Sequence, residues 1–578
     1  MFYIRSLFFL LLLNSLFISC DRIDERPNVI IIITDDQGYG DIGYNGNKII
    51  STPNIDHLAQ QSIRFNNFYV SPVCAPTRSS LLTGRYSLRT GIRDTYNGGA
   101  IMSGDEITIA EVLADNNYET GIFGKWHLGD NYPSRPSDQG FKESVVHLSG
   151  GIGQVGDITN RFKFNTSYFD PILWSNNQKK KFSGYCSDIF TDEAIKFIEK
   201  NKNKNFFCYL SFNAPHTPLQ LPDKYNEMYK NIDSKIISQS EQLKMSDKDI
   251  EDAKKVYGMV TNIDDNIGKV IDKLNKLGIS ENTILIFMTD NGPQQIRYNA
   301  KLRGLKSDVY EGGIKVPFYF RYPKLFKQSN DYDKISAHID ILPTIAKLCR
   351  IDLQNKSLID GVNLFEKSEN SKLNNRSFFS YWTRKSPELY NNISLHKGIY
   401  KLIGKTSYNA PIEDFELYNI KKDPNETRNI VIANKSIALS LKREMDSFYN
   451  ILIKSKNIVN PPRILIGTKF ENPTILNRND ASGQRGIWAQ NEIYGYWKVK
   501  IMEGKYNFKF KFTDPKLSSG KMLLELGERT FNLNSIVDKD GFISMSGIEI
   551  KEGDYNFIPT FISKGRNIFP FWVEITKN

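Results

Sequence analysis

The sequence predicts an α/β protein with a large, mostly parallel central sheet flanked by helices, followed by a smaller α+β unit and an all-β unit. Continuous β-branched and apolar runs at residues 28–34 and 283–289 are typical of strands buried on both faces of a parallel sheet. Beyond residue 460, apolar and polar residues alternate, which predicts strands with one buried face. A chain of 578 residues is long enough for two or three such units, each with its own core.

The composition is that of a soluble globular protein, with 40% hydrophobic and 24% charged residues. The net charge of +11 is spread along the chain, so it gives no nucleic-acid signature and is only weakly consistent with polyanionic substrates. Apart from Cys20, the cysteines are Cys74, Cys186, Cys208 and Cys349, and their spacing matches no zinc pattern. If Cys74 is modified, at most one disulfide can form among the other three.

The first 20 residues are predicted to be a secretory signal. Arg5 precedes an apolar run at residues 7–18, which is shorter than the roughly 20 apolar residues that span a bilayer. The run ends in Leu-Phe-Ile-Ser-Cys at residues 16–20, which is similar to a bacterial lipobox except for Phe17. We therefore expect an exported protein, periplasmic or at the cell surface. Either Cys20 bears a lipid anchor to the membrane or the signal is simply cleaved.

Acidic side chains come directly after both buried runs. Residues 28–34 lead into Asp35 and Asp36, and residues 283–289 lead into Asp290 and Asn291. In open α/β sheets ligands bind outside the carboxyl ends of the strands, so these groups are expected at one edge. An all-oxygen set suits Ca²⁺ or Mg²⁺ better than zinc. Taken alone, Asp35 and Asp36 could equally cap a turn.

Two further strand ends bring nitrogen donors. Residues 121–123 lead into Gly-Lys-Trp-His, with Lys125 and His127, and residues 205–212 lead into Asn-Ala-Pro-His, with His216. His57 and His147 lie in no such segment and are interpreted as structural.

Cys74 precedes a predicted short helix over residues 76–83. Pro76 at its start and Gly84 after its end are the usual helix boundaries. Free amide donors at that position favour an anion, and Arg78 adds a positive charge, so the sequence predicts a reactive thiol. The alternative is a small buried apolar residue.

Residues 74–84 contain Cys-x-Pro-x-Arg-x-x-x-x-Thr-Gly, which resembles the signature of the type I sulfatases. In that family a maturation enzyme oxidises the cysteine to formylglycine (3-oxoalanine). The resemblance implies an alkaline-phosphatase-like fold and a divalent cation, usually Ca²⁺, held against formylglycine 74 by Asp35, Asp36, Asp290 and Asn291.

The family resemblance also implies the groups that bind sulfate. Gly-Lys-Trp-His and Ala-Pro-His are similar to the sulfate-binding segments of the family, which points to Lys125, His127 and His216. Gly-Leu-Lys at residues 304–306 adds Lys306, and Glu-Gly-Gly-Ile-Lys-Val-Pro at residues 311–317 has Lys315 where arginine is commoner.

The implied reaction starts from the hydrated aldehyde of residue 74. One hydroxyl, acidified by the cation and Arg78, attacks sulfur, while the lysines and histidines neutralise the sulfuryl oxygens. His216 or Lys306 protonates the leaving oxygen, and the second hydroxyl expels sulfate.

The chain is predicted to divide into a catalytic unit at 27–370, a smaller unit at 371–455 and a β-sandwich-like unit at 460–578. A long helix is predicted to begin after Ser246 and stop at Gly278, with Asp264 and Asp265 on its solvated face. In the last unit, alternation on both sides of Glu503-Gly504 predicts a hairpin with one buried face. Its aromatic stripes are expected to be core rather than a sugar-binding surface.

The sequence therefore predicts an exported sulfatase that acts on sulfated polysaccharides or oligosaccharides. One alternative is a phosphonate or phosphate ester hydrolase of the same superfamily. The other is an inactive surface glycan-binding protein.

Overall fold

The computed structural model describes residues 26–233, 244–353, 359–366, 372–484 and 486–578. The signal segment and Cys20 lie outside the described residues. A ten-stranded sheet forms the centre of the molecule, in the order β11-β2-β10-β9-β1-β8-β4-β5-β6-β7. The strands up to residue 337 are β1 (Asn28–Thr34), β2 (Ile63–Phe65), β3 (Phe68–Tyr69), β4 (Glu119–Lys125), β5 (Glu143–His147), β6 (Ile172–Ser175), β7 (Gln178–Lys181), β8 (Phe206–Ser211), β9 (Thr283–Thr289), β10 (Phe318–Arg321), β11 (Asn330–Tyr332) and β12 (Ser336–Ala337).

Five neighbouring strands, β9, β1, β8, β4 and β5, run parallel. Both predicted buried strands are confirmed, and every residue of β1 and β9 is buried. Successive side chains of β1 enter different apolar clusters, with Ile31 in one and Ile30 in the other, because side chains alternate across a sheet. The carboxyl ends of the parallel strands therefore meet at one edge of the sheet.

Helices pack on this sheet and on a four-stranded sheet formed by residues 377–419. The described α-helices are α1 (Pro53–Gln60), α2 (Cys74–Thr83), α3 (Ser87–Thr90), α4 (Ile109–Ala114), α5 (Cys186–Lys200), α6 (Asp223–Lys230), α7 (Asp247–Lys276), α8 (Glu311–Ile314), α9 (Ile341–Leu348), α10 (Lys435–Leu452) and α11 (Lys456–Val459). No helix in the described ranges has the length and apolarity needed to cross a membrane.

Helix α2 begins two residues earlier than predicted. The amide of Thr77 donates to the carbonyl of Val73, so Cys74 is the first helical residue rather than a residue before the helix. Pro76 still lies in the first turn, where its missing N–H costs nothing. The predicted end is confirmed, because Gly84 has the left-handed φ of 68°.

The predicted start of the long helix is confirmed, but the predicted solvent exposure of Asp264 is wrong. Ser246 and Asp249 form a reciprocal capping box, and α7 runs from Asp247 to Lys276. Asp264 is not on a solvated face: it is fully buried and accepts hydrogen bonds from the amides of Asn54 and Ile55. These amides open α1, so the carboxylate satisfies donors that a helix start leaves unpaired.

A four-stranded antiparallel sheet comes next in the chain, packed against α10. Its strands are β13 (Ser377–Tyr381), β14 (Asn391–Lys397), β15 (Tyr400–Lys405) and β16 (Glu416–Asn419). Leu395, Leu402 and Leu417 share an apolar cluster with Met445 of α10. The strands and the helix of this unit therefore share one core.

The C-terminal residues form two packed antiparallel-rich sheets. Their strands are β17 (Ile464–Ile466), β18 (Thr474–Asn477), β19 (Ser482–Gly483), β20 (Gly495–Ile501), β21 (Gly504–Lys511), β22 (Ser519–Leu526), β23 (Arg529–Ile536), β24 (Phe542–Ile550), β25 (Gly553–Ser563), β26 (Arg566–Ile568) and β27 (Trp572–Lys577). One sheet has the order β17-β20-β25-β22-β23, and the other β18-β27-β21-β24.

The hairpin predicted around Glu503-Gly504 is wrong. Strand β20 pairs with β25, whereas β21 pairs with β24 and β27, so the chain crosses from one sheet to the other at this point. Trp497 of β20 and Phe508 of β21 are buried in one shared core. The aromatic stripes are core, as expected.

The described cysteines Cys74, Cys186, Cys208 and Cys349 are all buried, and no disulfide joins any two of them.

Candidate active site

Asp35 and Asp290 are neighbours because the strands before them are in register. Thr34 at the end of β1 pairs with Thr289 at the end of β9, so the next residues of both strands leave the sheet side by side. The amide of Asp36 donates to Asp290 Oδ1 at 3.2 Å. The structure therefore brings the two acidic segments together, although 254 residues separate them.

Each of these carboxylates has a buried cationic partner. Lys125 Nζ lies 2.5 Å from Asp35 Oδ2, and Arg78 Nη2 lies 2.7 Å from Asp290 Oδ2. Lys306 Nζ lies 2.7 Å from Asp36 Oδ1 and is the most exposed of the cations, at 13%. Six groups named by the sequence analysis thus form three neighbouring ion pairs.

The oxygen ligands are not all satisfied by these cations. Asp35 Oδ1 and Asn291 Oδ1 are buried, and no described residue donates to either. Ligand atoms of Asp35, Cys74 and Asp290 lie within 4.8 Å of one another, and so do those of Asp35, Asp36 and His216. Orphaned oxygens among several carboxylates are the donor set that Ca²⁺ or Mg²⁺ prefers, so these residues fit the implied cation.

The carboxylates also repel one another. Burial raises the pKa of Asp290 to about 7, and the charge of Asp35 adds to this effect. Burial is also the largest single effect on Asp36, but the charges of Lys306 and His216 and the hydrogen bonds from Lys306 and Asn291 together outweigh it, so the pKa of Asp36 is lowered. A positive ion among these oxygens would relieve the repulsion.

Cys74 lies at the first position of α2, where its Sγ is 3.4 Å from His127 Nδ1. Burial raises the pKa of the thiol, and the positive charges of Lys125 and Lys306 do not offset this. The expectation of thiolate reactivity from the helix start is therefore not met. The unmodified cysteine is 2% exposed, and its burial favours the thiol over the thiolate.

Backbone carbonyls set the tautomers of the two histidines. Because a carbonyl only accepts, His127 Nε2 donates to Thr95 O at 2.8 Å, and its Nδ1 lone pair faces Cys74. Likewise His216 Nδ1 donates to Thr217 O at 2.8 Å, which leaves Nε2 towards Asp36 Oδ2, 3.7 Å away. Burial lowers the pKa of both rings, to about 3 for His216.

Three further residues touch the site without having been selected from the sequence. Ser211 accepts from Arg78 Nη1 at 2.5 Å and donates to Lys125 O, Gln154 Nε2 donates to Thr217 O, and Thr95 holds His127. Ser211 ends β8, so the rule that selected the other strand ends would have found it. Gln154 and Thr95 lie in irregular segments that no motif marks.

The two histidines interpreted as structural lie in different places, and only His57 lies apart from the ion pairs. His57 is exposed and bonded to Gln61. His147 is buried at the end of β5, in register with Lys125, and neither ring nitrogen has a partner among the described residues.

Comparison with known proteins identifies the family. The family model described as Sulfatase matches residues 27–351, and the model described as N-sulphoglucosamine sulphohydrolase, C-terminal, matches residues 305–450. The chain belongs to the sulfatase family. It is therefore an enzyme of the class that hydrolyses sulfate esters, and its fold is alkaline-phosphatase-like.

Several sulfatases are similar over most of this chain. The N-acetylglucosamine-6-O-sulfatase of Bacteroides thetaiotaomicron is 27% identical, over 70% of this chain and 83% of the relative. The ulvan-active sulfatase of Formosa agariphila is 29% identical, over 60% of this chain and 65% of that protein. The crystal structure of Ps i-CgsB in complex with k-i-k-neocarrahexaose is 30% identical, with a TM-score of 0.62, over 73% of this chain and 93% of that chain.

Proposed function

We propose that this sulfatase is exported and removes sulfate from sulfated polysaccharides or their oligosaccharides, with formylglycine made from Cys74 by a maturation enzyme and a bound Ca²⁺ or Mg²⁺. The observation that supports this best is the meeting of Cys74 with Asp35 and Asp290 within 4.8 Å, beside the orphaned oxygen of Asn291. Sulfatases similar to this chain are named for carbohydrates or were solved with one, which supports the substrate class.

The cation would be held by Asp35, Asp36, Asp290 and Asn291. When bound, a divalent cation supplies positive charge that polarises a sulfate oxygen. The formylglycine supplies a hydrated aldehyde, whose hydroxyl is the nucleophile. Arg78 orients Asp290 and favours its ionised form, since two of its nitrogens donate to Asp290 Oδ2.

The remaining basic groups act on sulfate and on protons. Lys125 and Lys306, whose charges act on Cys74, would neutralise charge that develops on the sulfuryl oxygens, and the neutral rings of His127 and His216 would contact the bound sulfate. His127 presents a lone pair at Nδ1 and is suited to accept a proton from residue 74. Of the two predicted proton donors, Lys306 would protonate the leaving oxygen, because the proton of His216 is donated from Nδ1 to Thr217 O and its Nε2 bears only a lone pair.

Sulfate release tests this proposal. Protein produced together with a maturation enzyme is incubated with defined sulfated oligosaccharides, and released sulfate is measured by ion chromatography. We expect turnover by the wild type and none by Cys74→Ala. Phosphate and phosphonate esters assayed in parallel test the main alternative, and faster hydrolysis of those esters would contradict the assignment.

Export and anchoring form a separate part of the proposal. Cys20 is proposed as a lipidation site at the end of the signal segment. Metabolic labelling with a fatty acid should mark the wild type and not Cys20→Ala. Equal labelling of both proteins would reject the anchor.

A further inference from the structure

An arginine held between aromatic rings lies at the rim of the site. Arg384 precedes β14, and its guanidinium carbon is 4.6 Å from the ring centre of Tyr96 and 4.7 Å from that of Trp382. Trp488, from the β-sandwich, packs against Tyr96 with ring centres 6.1 Å apart. The four side chains therefore come from three separate parts of the chain.

Two short contact paths connect this cluster to the catalytic groups. On one side, Arg384 Nη1 donates to Thr95 Oγ1 at 3.0 Å, and the carbonyl of Thr95 accepts from His127, which faces Cys74. On the other side, Asn392 donates to both the Trp382 carbonyl and the carbonyl of Ser307, next to Lys306. The cluster thus lies between the His127 side and the Lys306 side of the site, one layer of residues outside the groups that face Cys74.

Arg384 presents one free edge. Both of its hydrogen bonds to described residues come from Nη1, to Asp94 Oδ1 at 2.7 Å and to Thr95. Nε and Nη2, which form the side-on fork of the guanidinium, bond to no described residue. The side chain is 39% exposed, so this fork is accessible. A planar fork of two N–H donors matches the oxygens of a sulfate or a carboxylate.

The backbone around Arg384 is fixed in advance. The amide of Lys385 donates to Asp94 Oδ2 at 3.0 Å, and Arg93 Nε donates to the Lys385 carbonyl at 2.9 Å. Asp94 is fully buried, so this connection is not a surface contact. A binding group held in place before the ligand arrives loses little freedom on binding.

Two further donors in the cluster lack acceptors. The indole nitrogens of Trp382 and Trp488 are buried, and no described residue accepts from either. Buried indole N–H groups usually find a partner, so both are suited to donate to a ligand oxygen.

We propose that Arg384, Tyr96, Trp382 and Trp488 form a subsite for an anionic substituent, a sulfate ester or a uronate carboxylate, on the sugar next to the one that is desulfated. This inference rests on the proposed function. The subsite makes the enzyme selective for oligosaccharides that bear a second anionic group beside the target sulfate.

Kinetics with three probes test this subsite. The probes are a monosulfated monosaccharide, carrageenan oligosaccharides with sulfates on adjacent sugars, and chondroitin sulfate oligosaccharides, in which a uronate adjoins a sulfated sugar. We expect Arg384→Gln to lower kcat/KM at least about tenfold, mainly through KM, on the oligosaccharide class that the wild type cleaves, because a charge-assisted bidentate contact is lost. On the monosaccharide the change should be less than about twofold. A loss on the carrageenan oligosaccharides indicates that the subsite binds a sulfate, and a loss on the chondroitin sulfate oligosaccharides indicates that it binds a carboxylate.

Two other variants serve as comparisons. Trp488→Phe keeps a ring but removes the N–H, and should show a smaller loss on the same oligosaccharides only. Arg443→Gln removes the same charge from an exposed position of α10 and should leave all probes unchanged. An equal loss for Arg384→Gln on the monosaccharide and the oligosaccharides, or no loss on any, would overturn the subsite. No sulfate release by the wild type from any probe would instead contradict the proposed function.

Discussion

Two buried groups of charged residues lie side by side in this protein, and only one of them contains polar atoms without a hydrogen-bond partner. Arg297 and Asp41 are both fully buried, and Arg297 Nε lies 2.9 Å from each Asp41 oxygen. The amide of Gly38 donates to Asp41 as well. In the neighbouring cluster, by contrast, Asp35 Oδ1 and Asn291 Oδ1 have no donor among the described residues.

This difference separates structural charge from functional charge. A buried ion pair with every polar atom bonded needs nothing more and holds the fold together. A cluster of three carboxylates in which Asp35 Oδ1 and Asn291 Oδ1 are orphaned is costly unless a cation or ligand completes it. Burial of charge alone therefore does not mark an active site. What distinguishes these two groups is the incomplete hydrogen bonding of one of them, and variants in the two groups should behave differently.

The largest effect is expected from Asp35→Asn in the incomplete cluster. Loss of a cation ligand should lower sulfate release by roughly 10³-fold or more, since charge stabilisation of the transition state is removed. With chelator present, the free energy of unfolding of Asp35→Asn should fall less than that of Arg297→Met, because relief of the repulsion among the carboxylates partly offsets the loss of the buried partner of Lys125. Activity near that of the wild type would contradict the assignment of Asp35.

Arg297→Met should lower the free energy of unfolding. Removing one partner leaves Asp41 as an unpaired buried charge, which typically costs about 3–5 kcal/mol. Urea unfolding measures this loss, and Arg443→Gln, on an exposed helix position, should stay within about 0.5 kcal/mol of the wild type. If Arg297→Met were as stable as the control, the pair would not have the structural role assigned to it.

Calcium should distinguish the two groups by its effect on unfolding. At about 100 times its dissociation constant, a cation that binds only the folded state stabilises it by about 2.7 kcal/mol. We expect the melting temperature of the wild type to fall with chelator and to recover with Ca²⁺ or Mg²⁺. In Asp35→Asn this response should be lost. A response of unchanged size in that variant would place the cation elsewhere.

The smallest effect is expected from Lys315→Arg. Lys315 Nζ lies 5.7 Å from the ring centre of Tyr39, a contact that a guanidinium can also make. The change restores the commoner family residue and should alter kcat/KM less than about twofold. A tenfold change in steady-state kinetics would show that this side chain acts on the substrate.

The strand ends of the site were predictable because their signals are local. A β-branched run that leads into Asp-Asp or Asp-Asn specifies both a buried strand and the polar side chains at its carboxyl end. Their closeness is then a consequence of the parallel sheet. The family motif added Cys74 and Arg78, which composition and periodicity alone would not have selected.

The errors arise where a partner is distant in sequence. Asp264 has the helical spacing of a solvated residue, and only the fold shows that it caps α1, about 210 residues earlier. The alternation around Glu503-Gly504 specifies buried faces but not which strands pair. The raised pKa of Cys74 depends on burial by the whole site, and Arg384 and Trp488 belong to no motif.

The most direct test of the central claim is the mass of the peptide that contains Cys74, measured on active protein produced with a maturation enzyme. We expect this peptide to be lighter than the thiol form, and the fraction converted to rise in proportion to sulfate release across preparations. Full activity from protein in which Cys74 is entirely an intact thiol would contradict the account.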